Sequence, residues 1–93
     1  MFNELNDKIV CVVTPNGDII GKLLESSETS LLLESPRGFM QTEKGFGFLP
    51  SVSVGCAEVK EARYNLAMVL TVTPAHSEIE KAWRQATTGL ITP

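Results

Sequence analysis

The alternation of apolar and polar positions divides the chain into short β-like runs followed by one segment of helical period. Residues 8–14 (KIVCVVT) form a β-branched run, and such a run favours a strand because Val and Ile lose less χ1 freedom on a pleated surface than in a helix. It is apolar on both faces, as in a strand covered on both sides. Pro15-Asn16-Gly17-Asp18 follows; Asn-Gly between two β-runs predicts a hairpin whose two turn residues take positive φ. The second run, 19–25 (IIGKLLE), carries Gly21 in its interior, where glycine costs stability unless the strand bends sharply or another backbone comes close. A sharp bend is the expectation. Residues 26–30 (SSETS) are turn formers, and Leu31-Leu32-Leu33-Glu34 opens a third strand that Pro36 and Gly38 interrupt or bulge. Residues 39–42 continue it past the bulge. Glu43-Lys44-Gly45 makes a turn, Phe46 to Leu49 form a fourth strand limited by Pro50, and 64–73 (YNLAMVLTVT) reads as the last strand.

The period then changes. Thr73-Pro74 reads as an N-cap with proline at the first helical position. Ile79, Ala82, Trp83 and Ala86 share one helical face, Glu78, Glu80, Lys81 and Arg84 take the others, and Gly89 is a natural stop. The pattern predicts a helix over about 74–88 with Trp83 as its anchor. Five strands without crossover helices, with turns every roughly 8–12 residues, predict a mainly β fold: a small, strongly bent five-stranded antiparallel barrel of SH3-like or OB-like kind over about 8–73, capped by the helix.

At 93 residues the chain suits a single domain, and 43% hydrophobic with 20% charged residues is a folded composition. The net charge of −3 argues against wrapping duplex DNA through a uniformly basic face. Cys11 and Cys56 lie far apart, with neither a CxxC pair nor a His at metal spacing, and read as buried free thiols. With an acidic start, no basic-then-apolar leader and no apolar run of membrane-spanning length, the expectation is a cytoplasmic, reduced protein with no membrane contact.

No catalytic set is apparent. The sole histidine, His76, falls in the first turn of the predicted helix, where it reads as a cap or a solvated side chain. Cys56 has no neighbouring base, the carboxylates are dispersed, and Gly45-Phe46-Gly47-Phe48 lacks the helix and Lys-Ser/Thr of a phosphate loop. Neither a metal nor a cofactor is expected, and a small hydrolase has no support. Arg63-Tyr64-Asn65 stands apart: a cation, a planar ring and an amide in a row suit a phosphate and a base.

The segment from Ile9 to Glu34 resembles the first motif of the Sm/LSm family. That motif is an apolar strand, a tight turn with Gly, a strand containing Gly-x-Leu, a polar turn, and an apolar triplet ending in an acid. Here the elements are residues 9–13, Asn16-Gly17, Gly21-Lys22-Leu23, residues 26–30, and Leu31-Leu32-Leu33-Glu34. The family's Asp and Asn in the polar turn fall on Ser27 and Ser30, and its second motif, Arg-Gly, has its nearest counterpart in Arg63-Tyr64-Asn65. The helix lies at the opposite end from the family's usual one. The resemblance implies a homo-oligomeric ring of about five to seven subunits, the fourth strand of one pairing with the fifth of the next. It further implies binding of single-stranded RNA at the ring centre through Ser27, Ser30, Arg63, Tyr64 and Asn65, with Lys22 as a supplement. Independently of any family, an apolar last strand is a hazard as a bare edge, and a partner strand would remove it. The alternative is an assembly module whose barrel and Trp83 helix dock on another protein without nucleic acid.

Overall fold

The computed structural model describes residues 2–88. Six strands form one antiparallel sheet: β1 (Ile9–Thr14), β2 (Gly17–Ser26), β3 (Ser30–Thr42), β4 (Gly45–Phe48), β5 (Glu61–Asn65) and β6 (Thr71–Pro74), followed by one helix, α1 (Ser77–Thr87). The order across the sheet is β4-β3-β2-β1-β6. β5 pairs with the first half of β3 while β4 pairs with its second half. No ladder joins β5 to β6 among the described residues, so the sheet stays open with those strands at its two ends.

The strand count corrects the expected five. The apolar run 64–73 divides into β5, a 3-10 turn at Leu66–Met68, and β6. Asn65 stops β5, because its side-chain oxygen accepts the backbone N–H of Ala67 at 2.9 Å and caps the turn. The helix also begins later than expected. Thr73 and Pro74 are opposite Cys11 and Val10 in the β1–β6 ladder, where the missing N–H of proline is harmless at an edge. His76 caps the helix instead, its Nδ1 accepting the Glu78 N–H at 3.1 Å. Gly89 lies outside the described residues.

Both tight hairpins use the sequence Thr-x-x-Gly. In the β1–β2 turn Pro15 and Asn16 are the loop residues, and Gly17 rather than Asn16 takes positive φ, at 128°. Thr14 Oγ1 accepts from the Asn16 N–H at 3.2 Å and donates to the Gly17 carbonyl at 2.7 Å. Thr42, Lys44 and Gly45, with φ of 135°, repeat the arrangement between β3 and β4. The primed turn expected of Asn-Gly is not formed, because proline ahead of it holds φ negative at the first loop position.

The register between β2 and β3 shifts twice, between Ile20 and Lys22 and between Leu23 and Glu25. Gly21 sits at the first shift. A Cβ there would lie 3.2 Å from the Glu34 carbonyl oxygen and 3.3 Å from Pro36 Cα, so glycine permits the close backbone approach. Across the same bulge Ser35 adopts φ of 50°.

Two apolar layers result. Val10, Val12, Leu23, Leu31 and Leu33 are fully buried in the main core with Ile19, Val72 and Leu5, and each contributes roughly 1.5–3 kcal/mol by leaving water. Val72 from one end strand and Tyr64 from the other both belong to this core. On the outer face Trp83 packs with Ile9 and Ile20 and donates its indole N–H to the Ser35 carbonyl at 2.9 Å. The helix is thereby fixed to the face of β1 and β2 opposite the main core.

Candidate functional site

Antiparallel pairing of β3 with β5 decides what the expected site becomes. Ser30 is opposite Asn65 and Leu32 opposite Arg63, whereas Leu31 is opposite Tyr64 and Leu33 opposite Ala62. Side chains alternate along a strand, so Ser30, Arg63 and Asn65 share the outward face and Tyr64 turns to the core. The burial pattern of β5, exposed at Arg63 and Asn65 and half-buried at Tyr64, agrees. Tyr64 packs against the main core and its hydroxyl is shut off from solvent. Three residues consecutive in sequence are thus divided between two faces.

Thr29, Ser30, Arg63, Tyr64 and Asn65 together border an open hollow of about 410 Å³. Arg63 Nη1 donates to Ser30 Oγ at 3.3 Å across thirty-three positions of sequence. The β2–β3 turn that carries Ser30 is built on Ser27, whose Oγ accepts the backbone N–H groups of Thr29 at 3.2 Å and Ser30 at 3.1 Å. Ser27 and Ser30 hydroxyls lie 3.3 Å apart. The Leu66 N–H donates to the Thr29 carbonyl at 2.9 Å, tying this turn to the β5–β6 connection. Ser27 therefore organises the turn, Ser30 and Arg63 face the hollow, and Asn65 caps the next turn from its rim. The arrangement offers one exposed guanidinium, hydroxyls and an amide beside an apolar ring, which can hold an anion next to a flat polar group.

Lys22 is placed elsewhere. It pairs with Ile9 and Glu34 and borders a different hollow with Glu34, Trp83 and Arg84, beside the helix. The β2 strand separates it from the 26–30 turn by several residues of extended chain. Thr29 was not singled out in the sequence; its signal is membership of the SSETS turn, in which a serine that accepts two backbone N–H groups orders its neighbours.

Among the described residues no group of three His, Cys, Asp or Glu side chains could hold a metal ion, and no helix is long and apolar enough to cross a membrane. Cys11 is half-buried and Cys56 is exposed rather than buried as expected, because the 49–60 loop lies outside both cores. A scan against protein-family models finds no match, and neither does a search of the curated proteins.

Two acidic groups give the fold an alkaline limit. Burial pushes the Tyr64 phenol from 10.0 up to about 12, with charge on Cys56 as the smaller cause. Burial, followed by the Asp18 charge and its hydrogen bond, pushes the Cys11 thiol from 9.0 up to about 11. Both protons are held more tightly in the folded chain, so the unfolded chain releases them first as pH rises. The stability they contribute is full below about pH 9, and falls progressively to about pH 12. Urea denaturation at several pH values should show that decline, and the tyrosinate absorbance of the folded protein should titrate about two units above that of the unfolded chain. A tyrosine titrating alike in both states would refute the assignment.

Proposed function

We propose that the chain is a non-catalytic, cytoplasmic RNA-binding protein that works as a homo-oligomeric Sm-like ring in RNA processing or metabolism. The observation that carries this reading is the hollow in which the β2–β3 turn and β5, distant in sequence, bring Ser30, Arg63 and Asn65 together, with Arg63 exposed. One cation per subunit is a weak site, but copies around a centre add up on a single strand. The finer fold, a bent Sm-like barrel, is supported by the two end strands sharing the main core and by the short turn that joins them. Ring closure follows if the free edge of β5 pairs with the free edge of β6 on the next copy. Met68 and Leu70, 55% and 67% exposed, lie on the connection between these edges and would be covered in such a contact.

The protein-docking alternative draws on other exposed apolar side chains, Met40 and Phe46 on the β3–β4 hairpin and Val54 beyond it, and on the net charge of −3. Light scattering followed by fluorescence anisotropy separates the readings. The expected result is a mass of about five to seven copies of the 10.1 kDa chain and binding of short U-rich or A-rich single strands that weakens with salt. A monomer would remove the ring, and an intact ring with no affinity at low salt would leave only docking.

A further inference from the structure

β4 ends the sheet on the side opposite β6 and pairs with β3 alone. The hairpin register decides which of its backbone groups are free. The Leu49 N–H donates to the Gly38 carbonyl at 2.8 Å, and pair types alternate along an antiparallel ladder, so Met40 with Gly47 and Thr42 with Gly45 are the hydrogen-bonded pairs. Phe46 and Phe48 fall between them and direct their N–H and C=O groups away from β3. No backbone group among the described residues bonds these outward groups. Such edges are ordinarily guarded by charge or proline, and β4, Gly-Phe-Gly-Phe, has neither. The ring contact proposed above uses β5 and β6 and leaves this edge uncovered. Both faces beside it are apolar. On one, Phe46 is 41% exposed and clusters with Phe39 and Phe48, the ring centroids 5.5, 5.9 and 6.2 Å apart. On the other, Met40, also 41% exposed, stands opposite Gly47.

We propose that β4 is a self-association edge, to which a second copy of this chain adds its own β4 antiparallel about a two-fold axis, with Phe46 opposite Phe48 of the second copy and Gly47 opposite Gly47 at the axis. The character of the edge selects this occupant. An uncharged strand, apolar on both faces, is matched by one of the same kind, whereas a charged segment would lose hydration there without gaining a counter-charge. Two-fold symmetry keeps each sheet face continuous, so the register moves only in even steps. Phe46 opposite Phe46 leaves Phe48 facing the Lys44 turn, and Phe46 opposite Pro50 meets a residue without an N–H. Phe46 opposite Phe48 bonds every outward N–H and C=O of both phenylalanines on both strands. It also merges the two phenylalanine clusters on one face and sets glycine against glycine on the other, where the backbones approach to about 4.5 Å. Phe46 and Met40 of two copies cover on the order of 300 Å² of side chain, short of the roughly 1,200 Å² of a stable complex. One pair of copies therefore associates weakly, and copies already joined in a ring associate through several such edges at once.

Analytical ultracentrifugation of the intact protein from about 10 μM to about 1 mM tests the proposal. The wild type should double its mass across that range, and hydrogen exchange at the Phe46 and Phe48 amides should slow about tenfold or more in the concentrated sample. Gly47 has room for a side chain, because a Cβ there meets only Met40 Cγ, at 4.0 Å. Gly47→Lys or Gly47→Glu alone sets like charges side by side at the axis and should weaken association about tenfold or more, whereas an equal mixture of the two variants should restore it. Should either variant fail to fold, the wild-type mass and exchange still decide. Neither substitution touches the Arg63 hollow, so RNA affinity in dilute protein should be unchanged and failure here is distinct from failure of the RNA reading. A wild type that keeps one mass up to about 1 mM would overturn the proposal and assign the edge to a strand of another protein. Equal association of the two variants and their mixture, or unchanged exchange at Phe46 and Phe48, would overturn it too.

Discussion

Trp83→Ala is expected to destabilise the protein by about 3–5 kcal/mol, a large share of the roughly 5–15 kcal/mol that holds a domain of this size folded. Trp83 is 4% exposed and forms the outer apolar layer with Ile9 and Ile20. α1 buries no other residue so completely, so the indole is its main attachment to the sheet. Removing it also leaves the Ser35 carbonyl, held outward by the left-handed backbone of that residue, without its indole donor. Trp83→Phe keeps most of the apolar area and loses the hydrogen bond, and should cost about 1–2 kcal/mol. Urea denaturation measures both. An alanine variant within about 0.5 kcal/mol of the wild type would mean that the helix is not docked through Trp83.

Arg63→Ala should produce the largest functional change. If RNA lies across the repeated hollows, each guanidinium that meets a phosphate adds about 0.7 to the slope of log affinity against log salt. A strand touching several copies then shows a slope shallower by several units in the variant, and its low-salt affinity falls about tenfold or more for each copy engaged. The side chain is exposed and, among the described residues, its hydrogen bond is to Ser30 Oγ, so folding and solution mass should be unaffected. Arg84→Ala is the matching control, because Arg84 pairs with Glu80 on the helix at 2.8 Å and removes the same charge elsewhere. Equal losses in the two variants would show that only bulk charge matters, and the Arg63 hollow would not be the RNA site.

Much of this protein is written in local pattern. The runs at 8–14 and 19–25, the turns at Asn16-Gly17 and Glu43-Lys44-Gly45 and the 79-82-83-86 stripe correspond to β1, β2, two hairpins and the Trp83 face of α1, because pleat, turn chemistry and helical period act over a few residues. The 64–73 run was not legible in this way. Its composition suits one strand throughout, and the break at residues 66–68 depends on Asn65 capping the turn while β3 and β1 each pair with only one end of the run. The candidate site shows the same division. Arg63, Tyr64 and Asn65 are conspicuous as a polar and aromatic triplet, but their faces follow from the register with β3, which sequence neighbours do not set.

By itself, the sequence determined the antiparallel β character, the positions of the tight turns, the need for glycine at 21 and the apolar face of the helix. Each depends on backbone freedom or side-chain shape within one element. Only the tertiary structure decided that Ser30 faces Arg63, that Lys22 stands apart beside the helix, and that the Tyr64 hydroxyl is buried. Those outcomes require contacts across many residues of chain, and the pairing of β3 with β5 places one side chain in water and the next in the core.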